Sequence, residues 1–210
     1  MRIKWLGEAS FEIEAGESTI HVDPHLIPQA AGKADLVLLT HDHLTHADEQ
    51  GILAVRKKET LAVATDRAAE RLGLASSIVY IGERILYRDV TATAVPAYVL
   101  DSTHHQRGHG VGYVIESEGK KIYHAGITEF IPEMHLLDEV DLMILPIGPH
   151  NPLTHADIVG IAQKVDPEIL APVYYALTEA SFTDLASLKL SVESSSSVRV
   201  EDIRLHELHL

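Results

Sequence analysis

Cysteine is absent from the chain, which excludes a disulfide framework and any thiolate site. No apolar run approaches the roughly 20 residues of a bilayer span, and no basic segment followed by an apolar one opens the sequence. Neither a membrane segment nor a signal peptide is expected, and the default compartment is the cytoplasm. Basic residues are scarce, 17 Lys plus Arg against 31 Asp plus Glu, and the formal net charge of -14 repels polyphosphate. Nucleic-acid and membrane partners are therefore not expected, and a small molecule is. What remains is a chain of 210 residues, 46% of them apolar, enough for one large core and read as a single domain over 1-210. Histidine stands out at 14 residues, the side chain that binds transition metals and moves protons near neutral pH.

The sequence repeats its own layout once. Ser10 to Glu14 alternates like a half-buried strand, Ala15-Gly16-Glu17-Ser18 is turn chemistry, and Thr19 to Pro24 resumes the alternation, which makes a hairpin. Gly112 to Glu116, Ser117 to Lys120 and Lys121 to Gly126 follow the same plan. Ala34 to His41 parallels Val140 to Pro146, and Glu59 to Ala64 parallels Glu168 to Val173. Helical stretches lie between, Asp48 to Lys57, Asp66 to Leu72 and Thr154 to Lys164, each opened by an Asp or Thr suited to capping. Apolar runs such as Leu36 to Leu39 read as strands buried on both faces, which requires helices outside two sheets and gives a layered α/β protein. Ser191 to Ser197 reads as a low-complexity link before a last strand-like segment, Val198 to Leu208.

The core strand at Leu36 to Leu39 runs straight into Thr40-His41-Asp42-His43-Leu44-Thr45-His46. His41 and His43, two apart on an extended segment, face the same way, and His46 comes round after a turn. This heptapeptide resembles the His-x-His-x-Asp-His signature of the metallo-β-lactamase superfamily. Further segments are similar to its small lactonase-like branch of metal-dependent hydrolases: Trp5 to Phe11, Val22-Asp23-Pro24, Val95 to Tyr98, Gly108 to Tyr113, Ile122 to Gly126, Leu145 to Gly148 and Ala171 to Tyr175. The resemblance implies a four-layer αββα sandwich built from two similar halves, in keeping with the internal repeat.

The same resemblance implies a first metal ion on His41, His43 and His105, with His104 an alternative for the third. It implies a second ion at positions filled here by Thr45, His46, Ile127 and Tyr174, where the pattern has Asp, His, a bridging Asp and His. A Thr hydroxyl is a poor substitute for a carboxylate, Ile127 has no donor atom, and a phenol near pKa 10 binds metal badly. The second site is expected empty, leaving one zinc. Glu8 stands in place of the His of a Leu-Gly-His motif, Val99 where many relatives carry a polar residue beside the pocket, and Asp23 where an Asp braces a ligand loop. Replacements gathered on site positions point to a pocket altered by selection or by engineering.

The expected function is hydrolysis of a small ester, lactone or phosphoester through metal-bound hydroxide, with Glu8, His46 and Tyr174 as the candidate catalytic groups. The rival expectation is a metal-free degenerate or engineered scaffold whose emptied pocket binds a ligand or runs a new reaction on Glu8 or a histidine. His150 follows the second half's buried strand and is a candidate pocket residue. His124 is expected to be structural. His21, His25, His109, His135, His155, His206 and His209 read as loop or surface residues. Asp101-Ser102 beside His104 and His105 lacks the spacing of a nucleophilic triad.

Overall fold

The computed structural model describes residues 1–73, 77–148, 151–174, 185–203 and 207–210. The first sheet holds β1 (Arg2–Gly7), β2 (Ser10–Ala15), β3 (Ser18–Val22), β4 (Leu36–Leu38), β5 (Leu61–Ala64) and β6 (Ser77–Ile78), side by side in that order. The second holds β7 (Arg84–Tyr87), β8 (Val90–Ala97), β9 (Gly110–Ser117), β10 (Lys120–His124), β11 (Leu142–Pro146), β12 (Ile169–Val173) and β13 (Arg199–Val200). A last short strand, β14 (Leu208–His209), returns to the first sheet beside β1.

The predicted repeat is a repeat of strand pairing. β2 and β3 form an antiparallel hairpin, and β4 and β5 continue from β3 in parallel. β9 and β10 form the matching hairpin, and β11 and β12 continue from β10 in parallel. Ile20, Val22, Leu36 and Leu38 from one sheet meet Tyr113, Ile115, Ile122 and Ile144 from the other in a shared core. Burying each such aliphatic side chain contributes about 1.5–3 kcal/mol. Val37 and Leu39 point the opposite way, onto α1 (Glu49–Val55) and α2 (Asp66–Leu72). Met143, Leu145 and Leu170 likewise pack on α3 (His155–Val165) and α4 (Leu185–Ser195). The result is the expected αββα order of layers, with strands buried on both faces.

Two expectations at the C-terminal end need correction. Ser191–Ser195 is not a link but the end of α4. Its hydroxyls bond back to carbonyls one turn earlier, Ser191 to Ser187 at 2.9 Å and Ser195 to Ser191 at 2.7 Å, while Leu188 and Val192 anchor the helix in the core. The segment from Val198 to Leu208 is two short strands in different sheets rather than one. Among the described residues no helix is long and apolar enough to cross a membrane.

The site residues leave the carboxyl ends of strands, where open sheets expose a crevice. Asp23 follows β3, the His41 to His46 loop follows β4, the loop with His105 follows β8, Ile127 follows β10 and Tyr174 follows β12. α1 presses on this edge closely enough that a Cβ at Gly51 would lie 2.0 Å from the Pro24 carbonyl oxygen. Gly51→Ala favours an isolated helix by about 1 kcal/mol. It is nonetheless expected to destabilise the protein by about 1–3 kcal/mol through this backbone clash, read as a lower urea midpoint; a raised midpoint would show that α1 does not press on the loop.

Candidate metal centre

His41, His43 and His105 are brought together as the resemblance implied, each offering a ring nitrogen within 4.8 Å of the others. Their ring centroids are 4.8 Å (His41 to His43), 4.6 Å (His43 to His105) and 5.3 Å (His41 to His105) apart. His105 rather than its exposed neighbour His104 joins the cluster. A tight turn selects it: Ser102 Oγ accepts from the backbone N–H groups of both residues, and Val99 N–H donates to the His105 carbonyl at 2.8 Å. Ser102 thus builds the loop.

The buried carboxylate of Asp23 organises the rest. Its Oδ1 accepts from Thr40 N–H at 2.7 Å, and its Oδ2 accepts from Thr40 Oγ1 at 2.6 Å and from His46 Nδ1 at 2.7 Å. Because the Thr40 hydroxyl gives its only hydrogen to Asp23, its contact with His41 Nδ1 at 2.9 Å must run the other way. Nδ1 of His41 therefore carries the hydrogen and Nε2 keeps a lone pair. That Nε2 is buried and has no hydrogen-bond partner among the described residues. An acceptor stranded among two further imidazoles fits a divalent transition ion, and a set of three neutral nitrogens is the donor set of a catalytic zinc.

Electrostatics keep these rings neutral. Burial first, then the neighbouring imidazoles, holds His41 well below its usual range and lowers His43. The same causes bring His105 to about 4. Tyr174 goes the opposite way: burial, then the charges of Asp23 and Glu8, raise it, with a hydrogen bond from Thr45 opposing. The phenol stays protonated and donates to His46 Nε2 at 2.9 Å. Both nitrogens of His46 are thereby engaged, one by Asp23 and one by Tyr174.

Other candidates fall as follows. Ile127 packs against the central core and lines the cleft beside His41 and His105. Val99 is half-buried on the His105 loop, and His124 is buried with Nε2 3.2 Å from the Ala9 carbonyl, as a structural residue would be. Glu8 is not an ordinary exposed loop carboxylate: its Oε2 is buried and has no hydrogen-bond partner among the described residues, with His25 Nε2 3.9 Å away. His150 and His206 lie outside the described residues. Of the supposed surface histidines, His135, His155 and His209 are exposed, but His21 is fully buried with Nε2 3.0 Å from the Gly32 carbonyl, and Glu12 lies 3.5 Å away. His25 is half-buried and hydrogen-bonded to Asp48 at 2.8 Å. Sequence reasoning missed Thr40 as the link between Asp23 and His41, although it stands directly before the first histidine.

Comparison with known proteins agrees with this geometry. The sequence model of the β-lactamase superfamily domain matches residues 2–174. A metal-dependent hydrolase of Thermococcus onnurineus is 33% identical over 190 residues, covering 83% of this chain and 84% of its own. One of Methanopyrus kandleri is 31% identical over 211 residues, covering 92% of each. Among solved structures, a protein from Parabacteroides distasonis assigned as a metal-dependent hydrolase superposes with a TM-score of 0.84 at 29% identity, over 95% of this chain and 91% of that one. With the fold, the histidine cluster and these relatives in agreement, the chain belongs to the metallo-β-lactamase superfamily, among its metal-dependent hydrolases.

Proposed function

We propose that the chain hydrolyses a small ester, lactone or phosphoester at a centre that takes one zinc ion on His41, His43 and His105. The observation that carries this reading is the contrast between His41 and His46: the first has a buried nitrogen with no partner, the second has none to spare. When bound, the ion supplies Lewis acidity, polarising a substrate oxygen and lowering the pKa of water at its open position to about 7. Asp23, through Thr40, fixes the tautomer that leaves His41 Nε2 free to ligate. Asp23 also fixes His46 as an acceptor at Nε2, so Tyr174 is oriented by a hydrogen bond and does not coordinate. Tyr174 and Ile127 then offer substrate a neutral hydroxyl and an apolar wall where a second cation's ligands would stand. The reading extends to residues 1-210 acting as one domain on a small molecule in the cytoplasm, with no nucleic-acid or membrane partner, as a net charge of -14 favours.

A second reading, metal-free chemistry on Glu8, is favoured by the buried Oε2 of that residue, which has no hydrogen-bond partner among the described residues. Chelation separates the two. Dialysed against trace zinc, the untagged protein is expected to hold close to one ion per chain by mass spectrometry, and His41→Ala or His105→Ala close to none. Turnover of phenyl acetate, δ-valerolactone or bis(4-nitrophenyl) phosphate should disappear with EDTA and return with zinc. Turnover that EDTA leaves intact and Glu8→Gln abolishes would transfer the assignment to the second reading.

A finer expectation concerns Thr40. Thr40→Val keeps the shape but removes the acceptor for His41 Nδ1, so zinc affinity should fall about 10- to 100-fold, the usual effect of losing a partner behind a ligand. An unchanged affinity in a competition titration would show that Asp23 does not act on His41 through this hydroxyl.

A further inference from the structure

The outer face of the second sheet carries a cavity that the histidine cluster does not use. Val111, Tyr113 and Ile115 of β9 point into the central core and Val114 points outward, so Gly112 is an outward position with no side chain to cover the sheet. Val95 of β8 pairs with Gly112 on one side. From the other side the ring of Tyr123, on β10, leans over the gap, 3.3 Å from where a Gly112 Cβ would stand. A short 3₁₀ turn, Pro132–Leu136, faces this stretch of sheet and is anchored by Met134, which is 1% exposed. Sheet and turn leave a space of about 320 Å³ walled by Val95, Pro96, Met134, Leu136 and Leu137, with Tyr123 among them.

That volume is about twice the roughly 150 Å³ void that stays dry and holds benzene, which gives room for up to about a dozen non-hydrogen atoms. The walls are aliphatic, and Tyr123 is the exception. It is 1% exposed, and its hydroxyl has no hydrogen bond among the described residues. The oxygen is not sealed in, however, and the open space it meets is this cavity. Burial alone raises the phenol's pKa, so the hydroxyl keeps its hydrogen and remains a donor. A donor left unmade in so dry a place is costly, and an acceptor brought by a ligand removes the cost. At the rim the Arg107 guanidinium meets one oxygen of Glu133 at 2.9 Å, and the other oxygen accepts from the Tyr98 hydroxyl at 2.8 Å. These two charges cancel, so the entrance has no net charge to draw an ion, and Leu136, 80% exposed, makes its edge apolar. Inside, a carboxylate would be buried against a neutral phenol and hydrocarbon, whereas an uncharged carbonyl oxygen is not penalised in this way.

We propose that this cavity is a second binding site, separate from the histidine cluster, for an uncharged and mainly apolar molecule with one carbonyl oxygen, which accepts from the Tyr123 hydroxyl. The ligand's hydrocarbon part lies on Val95, Met134 and Leu137, and its carbonyl gives the phenol the acceptor that the fold does not supply. A mostly apolar cleft with one convergent polar group is the usual make-up of a small-molecule site, the polar group fixing orientation. The site stands whether or not the histidine cluster hydrolyses esters, because none of its contacts involves His41, His43 or His105.

The test titrates the methyl-labelled full chain with three probes of one shape, followed by nuclear magnetic resonance: acetophenone, ethylbenzene, which lacks the carbonyl, and phenylacetate, which carries a charge. Acetophenone should bind saturably and move the methyl resonances of Val95, Met134 and Leu137, in the wild type and in His41→Ala alike. Phenylacetate should bind more weakly than acetophenone. Tyr123→Phe removes only the hydroxyl, and should lower the affinity for acetophenone about 3- to 10-fold, the range of one neutral hydrogen bond, while that for ethylbenzene and the zinc content stay as they were. In the wild type the carbonyl ¹³C resonance of bound acetophenone should lie downfield of its position in cyclohexane, as an accepted hydrogen bond requires; this reading decides the matter if Tyr123→Phe fails to fold. Absence of saturable binding overturns the site, as do shifts that His41→Ala abolishes. An affinity for acetophenone unmoved by Tyr123→Phe, a carbonyl resonance at its cyclohexane position, or tighter binding of phenylacetate overturns the assignment of an uncharged carbonyl ligand.

Discussion

A single buried carboxylate, that of Asp23, sets the state of two histidines at once. One, reached through the Thr40 hydroxyl, is left with a bare Nε2, and the other, touched directly, meets Tyr174 through its own Nε2. The difference between these two outcomes is one intervening hydroxyl. Burial gives the arrangement its strength, because hydrogen bonds to a charged group in a water-poor site are stronger than those at the surface and are expensive to leave unmade. The fold supports it from behind, with Asp23 N–H tied to the Leu38 carbonyl at 3.0 Å, so the carboxylate is carried on the first two parallel strands of one sheet.

The second half of the sandwich answers with Ile127 and Tyr174, from equivalent places after β10 and β12. Together they place an apolar side chain and a phenol beside the histidines. Gly126, in left-handed backbone (φ 64), lets the two halves close on each other, since a Cβ there would lie 2.9 Å from the Val111 carbonyl oxygen and 3.2 Å from Thr40 Cβ. The centre is thus assembled across both sheets.

Much of this was legible in the sequence, for identifiable reasons. The hairpins and the runs at Leu36 and Leu142 obey the period of a strand, and the cluster of histidines sits where a core strand must end, so the layered α/β arrangement and the convergence of His41 and His43 could be read directly. His105 was legible only through resemblance, because the turn that chooses it over His104 depends on Ser102, whose hydroxyl has no signature of its own. His25 and Asp48 are 23 residues apart with nothing in their spacing to pair them; Asp48 reads as a helix cap, which it is, and its second oxygen is visible only in three dimensions. The serine-rich tail of α4 misled because serine's preference for turns is overridden once its hydroxyls bond within the helix and two apolar neighbours are buried.

Glu8, Asp23 and Tyr174 share a further property, in that all three have left-handed backbone, with φ of 47, 45 and 68. For side chains with a Cβ such conformations cost of order 1–3 kcal/mol each and persist only where the surroundings impose them. The residues that define the pocket are therefore also places where the fold stores strain, and glycine would relieve it at each. Selection for thermal stability alone would erode this pocket one position at a time, whereas selection for catalysis would keep the protein below the stability its scaffold could reach.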